Sequence, residues 1–470
     1  MNKKLIILYL IAVSVIYFLS PNLHAEDTNT EIITMSFAPA EEPVPALSYK
    51  LLPRYIDQKN GNAALFYYAA AGLYPDGDTG DINEKIHKWR NLPIEQLNRK
   101  EVEETLALFT NCLRQIKLAA QRNSCQWEMP IEEGFAMQLP HLSTFRQIVF
   151  AMQLQIRLDI ADGRINNAID LLQQGMYMGR SIAQGPTIIQ ILVGIAIDAI
   201  MLKNIEEMIQ SPNSPNLYWA LSSLPRPMVD MQIAIQYELD TFFIAFPEIK
   251  NIENELLSTQ QASNIIYNLI NQVQALSGDI SNIPFNNILP AAWVMMHYSD
   301  AKKYLLDKDY SRERIDAMPA AQAVLIYQKQ QYIEIADDMF KWLEIPYRQS
   351  QPHMLKIEEQ LSAISSQGIK GNLFSVFLPA LSRVAFLQVR LERNIALLRT
   401  IEALRMYTAE HSGQFPESLA DITSVPVPLD PVSGKEFIYK RVDLRNAHLE
   451  APVSLEKSDK TPVYELSIKK

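Results

Sequence analysis

The chain has 470 residues, 48% of them apolar, and a formal net charge of -10 at pH 7. This acidic balance argues against nucleic acid or an anionic membrane as the main partner, because both favour clusters of Lys and Arg that the sequence lacks. The length and apolar content allow a substantial core divided between two structural units. With only 15 glycines, the sequence predicts a mainly α fold.

The first 25 residues have the features of a secretory signal. Lys3 and Lys4 supply the positive start, Leu5 to Leu19 form an apolar run, and Ala25 ends the segment. We predict cleavage after Ala25; the alternative is a retained N-terminal anchor, because the run approaches the roughly 20 residues of a membrane span. Cleavage removes two lysines and no acid, which changes the net charge from -10 to -12. The prediction is a periplasmic or secreted protein without a membrane span after signal removal.

Residues 26–46 are predicted to form a flexible tether, because the stretch from Ala38 to Pro45 is rich in proline and glutamate. A helical domain is expected over residues 47–371. Its clearest helix is predicted from Asn98 to Gln121, where Asn98 caps the start and apolar residues recur every three or four positions.

A helical hairpin is predicted next, from Leu142 to Ala161 and from Arg164 to Ala183, with the turn at Gly163. This unit resembles one tetratricopeptide-type repeat, but no second copy with the same period follows. Because such repeats need several copies for stability, the pattern favours a hairpin within a bundle or an irregular solenoid.

The most apolar internal segment runs from Pro186 to Leu202 and is interrupted by Gln190 and Asp198. Its clean apolar length is short for a membrane span and an ionisable group there is costly, so a buried central helix is favoured. Several prolines then predict a joint near residues 211–227, with Pro227 as the first residue of the following helix.

The remaining pattern is helical up to a small α/β cap. A long helix from Asn372 to Glu410 opens the last region, residues 372–470, and Gly413 ends it. Strands are expected near Glu436 to Arg441 and Pro462 to Ile468. The other predicted helices cover Pro227 to Ala245, Asn251 to Ser277, Leu289 to Asp307, Pro319 to Glu344 and Pro352 to Ser365.

Cys112 and Cys125 are the two cysteines. Export would place them where a disulfide can form, and closing this loop would contribute about 3 kcal/mol in the chain-entropy model. Two buried thiols are the alternative, because Cys112 lies within a predicted helix and the chain would have to fold straight back. A zinc site is not expected, since no paired histidines accompany them.

The segment from Asp76 to Asp81 resembles the start of a calcium loop. It departs from the EF-hand pattern, because the sixth position is Asp81 rather than Gly and the twelfth is His87 rather than Glu. Asp81 and Glu84 also fit an ordinary helix-capping box. No metal or cofactor is therefore predicted.

No catalytic motif of a serine hydrolase or a nucleotide-binding enzyme is present in the sequence. Helical groups of acids are nevertheless candidates for acid/base chemistry, and the first is Glu238 with Asp240 beside aromatic residues. Each group also has the composition of a solvated helix face. The other groups are His297 with Asp300, and Glu334 with Asp337, Asp338 and Lys341.

Three aromatic groups are interpreted mainly as core packing, with a peptide-binding groove as the alternative. They are Phe66-Tyr67-Tyr68, Tyr218-Trp219 and Phe340-Lys341-Trp342.

Several short motifs are spread over most of the chain: Gly61-Asn62-Ala63-Ala64, Cys125-Gln126-Trp127, Gly185-Pro186-Thr187-Ile188 and Pro215-Asn216-Leu217-Tyr218-Trp219. Through these motifs, most of the chain resembles a group of uncharacterised exported bacterial proteins. The resemblance implies a fold and no catalytic residue.

The stretch from Leu398 to Arg441 resembles the region after the long helix of type II secretion pseudopilins. The resemblance implies that Tyr407 and Phe415 pack the helix end onto a hairpin, and that Asp430-Pro431 and Gly434 shape its turn.

The sequence favours an exported helical scaffold that acts through protein or peptide contacts. One alternative is a cell-envelope enzyme acting on glycan, which would need two neighbouring carboxylates. Another is an accessory of a secretion apparatus that docks through the cap.

Overall fold

The structure is a computed structural model, and it describes residues 30–75, 79–277, 288–366, 372, 374, 378, 381–453 and 461–469. The predicted signal, residues 1–25, lies outside the described residues. The described chain is mainly helical with a small α/β cap near its C-terminus, as the sequence predicts.

The helices follow one another with few strands between them. In chain order they are α1 (Ala63–Gly72), α2 (Thr79–Trp89), α3 (Arg99–Ala107), α4 (Thr110–Ala120), α5 (His141–Ala161), α6 (Ile165–Ile182), α7 (Ile188–Ile209), α8 (Tyr218–Ser222), α9 (Gln232–Ala245), α10 (Pro247–Lys250), α11 (Thr259–Ser277), α12 (Ile288–Asp307), α13 (Arg312–Ala317), α14 (Ala320–Phe340), α15 (Tyr347–Ser366) and α16 (Leu381–Glu410).

The strands of the described residues form two small sheets. The first is a parallel pair of β2 (Lys59–Asn62) and β3 (Arg122–Ser124). The second has the order β1-β6-β5-β4, in which β1 (Thr30–Phe37) is parallel to β6 (Thr461–Ile468) while β5 (Asn446–Glu450) and β4 (Ile438–Arg441) continue the sheet in antiparallel fashion.

The described chain divides into two compact units, each assembled from separate stretches of sequence. The large unit contains described residues of 30–128, 139–233 and 386–469, and therefore holds the hairpins and the cap. The small unit contains described residues of 129–138 and 234–385. Its core includes Phe242, Trp293, Leu325 and Phe374, all buried.

Helices α5, α6 and α7 form the core of the large unit, and the turn between α5 and α6 is made by Gly163 at φ +72°. Helices α6 and α7 pack at backbone contact. A Cβ added to Gly194 would lie 2.6 Å from the carbonyl oxygen of Gly179. Only glycine lets the two helix backbones come this close, so Gly179 and Gly194 determine where α6 and α7 cross. Thr187 begins α7 with a capping box to Gln190.

Helix α7 is the one described helix that is long and apolar enough to cross a membrane by length and composition. In the most apolar 18-residue window, 72% of the residues are buried inside the protein.

Part of the predicted tether belongs to the sheet of the cap. Thr30–Phe37 form the edge strand β1, so the expectation of a flexible segment over residues 26–46 is wrong there. Met35 and Phe37 are buried, and the Phe37 ring meets Phe415 edge-on at 6.0 Å between centroids. Burial of these side chains in the cap offsets the entropy of ordering the strand.

A buried arginine joins this strand to the long helix. Arg405 of α16 donates hydrogen bonds to the carbonyl oxygens of Ala38, 3.1 Å away, and Ser214, 3.0 Å away. It also pairs with the buried Glu402 at 2.9 Å. The segment that follows β1 is therefore fixed to the helix rather than free.

Some helix predictions need correction in their bounds, and the helix expected from Asn251 to Ser277 begins at Thr259. The helix expected from Asn98 to Gln121 is two helices, α3 and α4, and the Asn98 side chain makes no capping hydrogen bond. Pro227 does not begin a helix, since the next helix, α9, begins at Gln232. The long helix is described from Leu381, and most of the predicted start at residues 372–380 lies outside the described residues.

Candidate functional site

Tyr55 and Ile56 are two adjacent apolar side chains of the large unit that are strongly exposed, at 81% and 83%. They lie on a single turn of 3-10 helix, Tyr55–Asp57. We call Arg54 to Asp57 the apolar turn. Burial of a tyrosine and an isoleucine would stabilise the fold, and here both side chains remain in solvent. Packing within the chain therefore does not explain why these two residues lie at the turn.

The chain is held in place on both sides of the apolar turn. On the N-terminal side Leu51 is buried, and the Gln173 side chain of α6 donates to the carbonyl oxygens of Lys50 and Leu52, each 3.2 Å away. On the C-terminal side the Lys59 amide donates to the Gln121 carbonyl at 2.7 Å. The loop therefore presents its apolar side chains from a fixed backbone.

An ion pair closes the apolar turn. The Arg54 guanidinium donates two hydrogen bonds to the Asp57 carboxylate, 2.7 Å from Nε and 2.9 Å from Nη2. The hydrogen bond from Arg54 lowers the pKa of Asp57. Both side chains are exposed, so the pair orients the turn and adds little stability.

A second unusual feature of the large unit is a buried carboxyl group. Asp198 on α7 is 1% exposed, and neither carboxyl oxygen has a hydrogen-bond partner among the described residues. Burial raises the pKa of Asp198 well above its usual range; Arg180 lowers it in part and Glu392 raises it. A buried carboxyl group without a donor is costly, and it avoids part of that cost by staying protonated.

Glu392 on α16 is the second member of this carboxyl pair and is only partly buried. Burial raises its pKa, while the Met228 amide, which donates to Oε1 at 2.6 Å, and Arg226 lower it. The exposed Arg226 lies in the loop between α8 and α9. We call Asp198 and Glu392 the carboxyl pair; its glutamate is partly exposed and its aspartate is fully buried.

The position of Asp198 follows from the glycine crossing of α6 and α7. A Cβ at Gly179 would lie 2.4 Å from Asp198 Oδ1, so the carboxyl group occupies the space that a side chain at residue 179 would fill. Burial therefore disfavours ionisation of Asp198, and the charge of Glu392 disfavours it further.

The acids singled out in the sequence lie elsewhere, in the small unit. Asp240 and Asp337 are exposed, and Glu238 is partly buried. The pKa of Tyr332 is raised mainly by burial of its own side chain and, to a smaller extent, by the charge of Glu238. Asp338 pairs with Lys341 at 2.5 Å. These acids have the surroundings of surface helix faces.

Three further residues of the predicted groups make ordinary contacts. Glu334 accepts from the Tyr304 hydroxyl at 2.8 Å. The buried His297 packs against Trp293 with ring centroids 5.3 Å apart, while Asp300 is exposed.

The calcium-loop candidate is not assembled by the described residues. Asp76 to Asp78 lie outside them, and Asp81 is in the first turn of α2, where it pairs with Lys85 at 2.9 Å. Within the described ranges no group of three or more His, Cys, Asp or Glu is arranged to hold a metal ion.

Cys112 and Cys125 are both buried free thiols in the structure, which is the alternative to a disulfide. The Cys112 thiol contacts the Leu73 carbonyl at 2.9 Å. Burial raises the pKa of Cys112 to about 11 and that of Cys125 to about 12. Neither thiol is activated as a nucleophile.

The aromatic groups pack as the sequence favours. Tyr67 is buried and stacks on Trp127 with centroids 5.9 Å apart. Tyr218 and Phe340 are also buried. Trp342 stacks on His353 at 3.7 Å.

Comparison with known proteins gives no match: no family model, no curated protein and no solved structure is similar to this chain. The resemblances noted from sequence motifs therefore remain predictions, and the candidate sites rest on geometry.

Proposed function

We propose that the protein is an exported helical scaffold that binds a protein or peptide of the cell envelope through the apolar turn. The observation that carries this proposal is the paired exposure of Tyr55 and Ile56 on a loop fixed at both ends. Val44 and Leu47, which precede the apolar turn in the chain, are also exposed. Adjacent exposed apolar residues on a soluble chain are typical of protein contact sites.

The fixed backbone favours binding for an energetic reason. Association loses free energy when side chains and loops become ordered at the interface, and a loop that is already ordered avoids part of this loss. Tyrosine is also enriched among the residues that dominate interface energies.

The N-terminal segment supports export of the protein from the cytoplasm. The Lys3-Lys4 start, the apolar run to Leu19 and the small residue Ala25 support a periplasmic or secreted site of action. A partner is therefore to be sought in the envelope.

A crosslinking pull-down from native envelope extract tests the proposal with the mature chain, residues 26–470. The Tyr55→Ser/Ile56→Ser variant is expected to lose a partner that the wild-type chain recovers. The matched control is Leu256→Ser/Met295→Ser, which removes two other exposed apolar side chains and should retain that partner. Equal recovery with both variants would contradict the proposal.

A second candidate function is acid/base catalysis on envelope glycan, and the carboxyl pair Asp198–Glu392 favours it. Glu392 is the partly exposed member that a substrate could reach and would act as the acid or base, while its charge influences the ionisation of the buried Asp198. Incubation of the mature protein with purified cell-wall glycan tests this function by the release of new reducing ends. Loss of reducing-end release in Glu392→Gln and Asp198→Asn would support catalysis by the carboxyl pair. If the wild-type chain releases no reducing ends, this candidate function is wrong.

A further inference from the structure

The apolar turn carries a local charge opposite to that of the protein. Residues 47–62 contain Lys50, Arg54 and Lys59 but only one acid, Asp57, in a chain of net charge -10. Asp57 is already paired with Arg54. The stretch of chain that carries Tyr55 and Ile56 is therefore locally cationic in an acidic chain.

A further cation lies beside this segment through the small parallel sheet. Lys59 of β2 is in register with Arg122 of β3, and the Arg122 guanidinium lies over the Phe66 ring at 4.6 Å. Its Nε is buried and has no hydrogen-bond partner among the described residues. We call Lys50, Lys59 and Arg122 the cationic rim.

The charges of the cationic rim are not neutralised within the part of the chain that the structure describes, where no carboxylate forms an ion pair with Lys50, Lys59 or Arg122. Unpaired cations on the segment that carries exposed apolar side chains, and on the strand paired with it, are complementary to a surface that offers both carboxylates and an apolar group.

Two kinds of surface have this chemistry, an acidic protein segment and an anionic membrane. Recognition of an anionic membrane typically uses clusters of 4–8 Lys or Arg, and the cationic rim has fewer. A bilayer also presents an extended negative surface, which the remaining acidic chain would repel, whereas a short segment meets only the local charge. The acidic segment is therefore the better fit.

Building on the proposed function, we infer that the apolar turn and the cationic rim form a docking site for an acidic segment of another protein. Its carboxylates face Lys50, Lys59 and Arg122, and an apolar side chain of the segment covers Tyr55 and Ile56. The cations set the chemistry of the partner, and the apolar turn supplies the buried contact.

The test uses the mature chain, a short synthetic peptide rich in Glu and Leu, the same peptide with Gln in place of Glu, and vesicles containing phosphatidylglycerol. Binding is measured by fluorescence anisotropy for the peptides and by sedimentation for the vesicles. We expect the Glu peptide to bind at least about tenfold more tightly than the Gln peptide, a difference of about 1.4 kcal/mol. This preference should fall as salt rises from about 0.1 M to about 1 M, where the screening length shortens from about 10 Å to about 3 Å.

A charge variant and a matched control test the contribution of the cationic rim. Lys50→Gln/Lys59→Gln should weaken the preference for Glu, because only Arg122 of the cationic rim remains, while the control Lys100→Gln/Lys440→Gln, which removes two exposed lysines elsewhere, should keep it. Equal binding of both peptides, no binding of the Glu peptide, or binding to vesicles alone would overturn the inference.

The proposed function has its own readout in the same assay. If Tyr55→Ser/Ile56→Ser binds the Glu peptide as well as the wild type does, the apolar turn is not the contact, although the acidic chemistry stands. If that variant loses the peptide while Lys50→Gln/Lys59→Gln retains the preference for Glu, the apolar turn stands and the acidic chemistry fails.

Discussion

Arg393 on α16 and Asp430 in the cap form a two-pronged ion pair in which neither side chain is exposed. Nε lies 2.9 Å from Oδ1 and Nη2 lies 3.0 Å from Oδ2. Asp430 also accepts from the amide of Ser433 at 3.0 Å, and Gly434 completes the turn at φ +71°. The pair fixes the turn of the cap to the long helix.

Removing one partner of this pair should therefore destabilise the large unit. Arg393→Leu is expected to lower the free energy of unfolding by about 3–5 kcal/mol, because Asp430 would remain buried without its counter-charge. Urea unfolding followed by circular dichroism measures the change. The control is Lys302→Gln, which breaks an exposed pair with Asp316 and should cost at most about 1 kcal/mol. Similar losses in both variants would show that burial of the pair has no consequence.

Asp198 should make the protein less stable as the pH rises. Its pKa is raised in the folded state, so its contribution to stability is fully present below the unfolded pKa of about 3.9 and is lost as the pH rises through the folded value. Each unit by which folding raises the pKa costs about 1.4 kcal/mol at higher pH. Asp198→Asn should remove this pH dependence and be more stable than the wild type at neutral pH.

Chemical unfolding at a series of pH values from about 4 upward measures this effect. Asp337→Asn is the control, because it neutralises an exposed carboxylate and should leave the profile unchanged. A wild-type profile identical to that of Asp198→Asn would mean that Asp198 ionises normally in the folded protein.

The edge strand β1 should contribute to the stability of the folded protein. Phe37→Ala is expected to lower the free energy of unfolding by about 3–5 kcal/mol, because it leaves a cavity beside Phe415. Ile32→Ala on the same strand removes a side chain that is 64% exposed and should change stability by at most about 0.5 kcal/mol. If residues 30–37 were a tether, both substitutions would be neutral in the same unfolding assay.

The two cysteines should react only when the chain unfolds. Buried thiols with pKa near 11 and 12 carry little thiolate at pH 8, so a thiol reagent should label the native protein slowly and the denatured protein at both Cys112 and Cys125. Mass spectrometry without reductant counts the labels. Denatured protein that accepts none would establish the disulfide instead.

Much of the helical framework could be predicted from periodicity. The hairpin ends at residues 161 and 165 agree with prediction to within one residue, because Gly163 marks the turn and the apolar pattern is long. The end of α16 at Glu410, before Gly413 at φ +72°, is likewise a local signal.

What could not be predicted depends on contacts distant in sequence. Ile33, Met35 and Phe37 alternate as in a strand, but their partner strand β6 lies at the other end of the chain and the following prolines favour a tether. Asp198 was visible as an interruption of an apolar run, yet its neighbour Glu392 is brought to it only by folding. Tyr55 and Ile56 resemble core residues in sequence, and only their exposure distinguishes them.

The most direct test of the proposed contact site is photo-crosslinking in intact envelope preparations. A photoreactive residue is placed at Ile56 and, in a separate sample, at Met295, which is 79% exposed in the small unit. The account predicts a discrete protein adduct from position 56 and none from position 295. No adduct from position 56, or the same adducts from both positions, would contradict it.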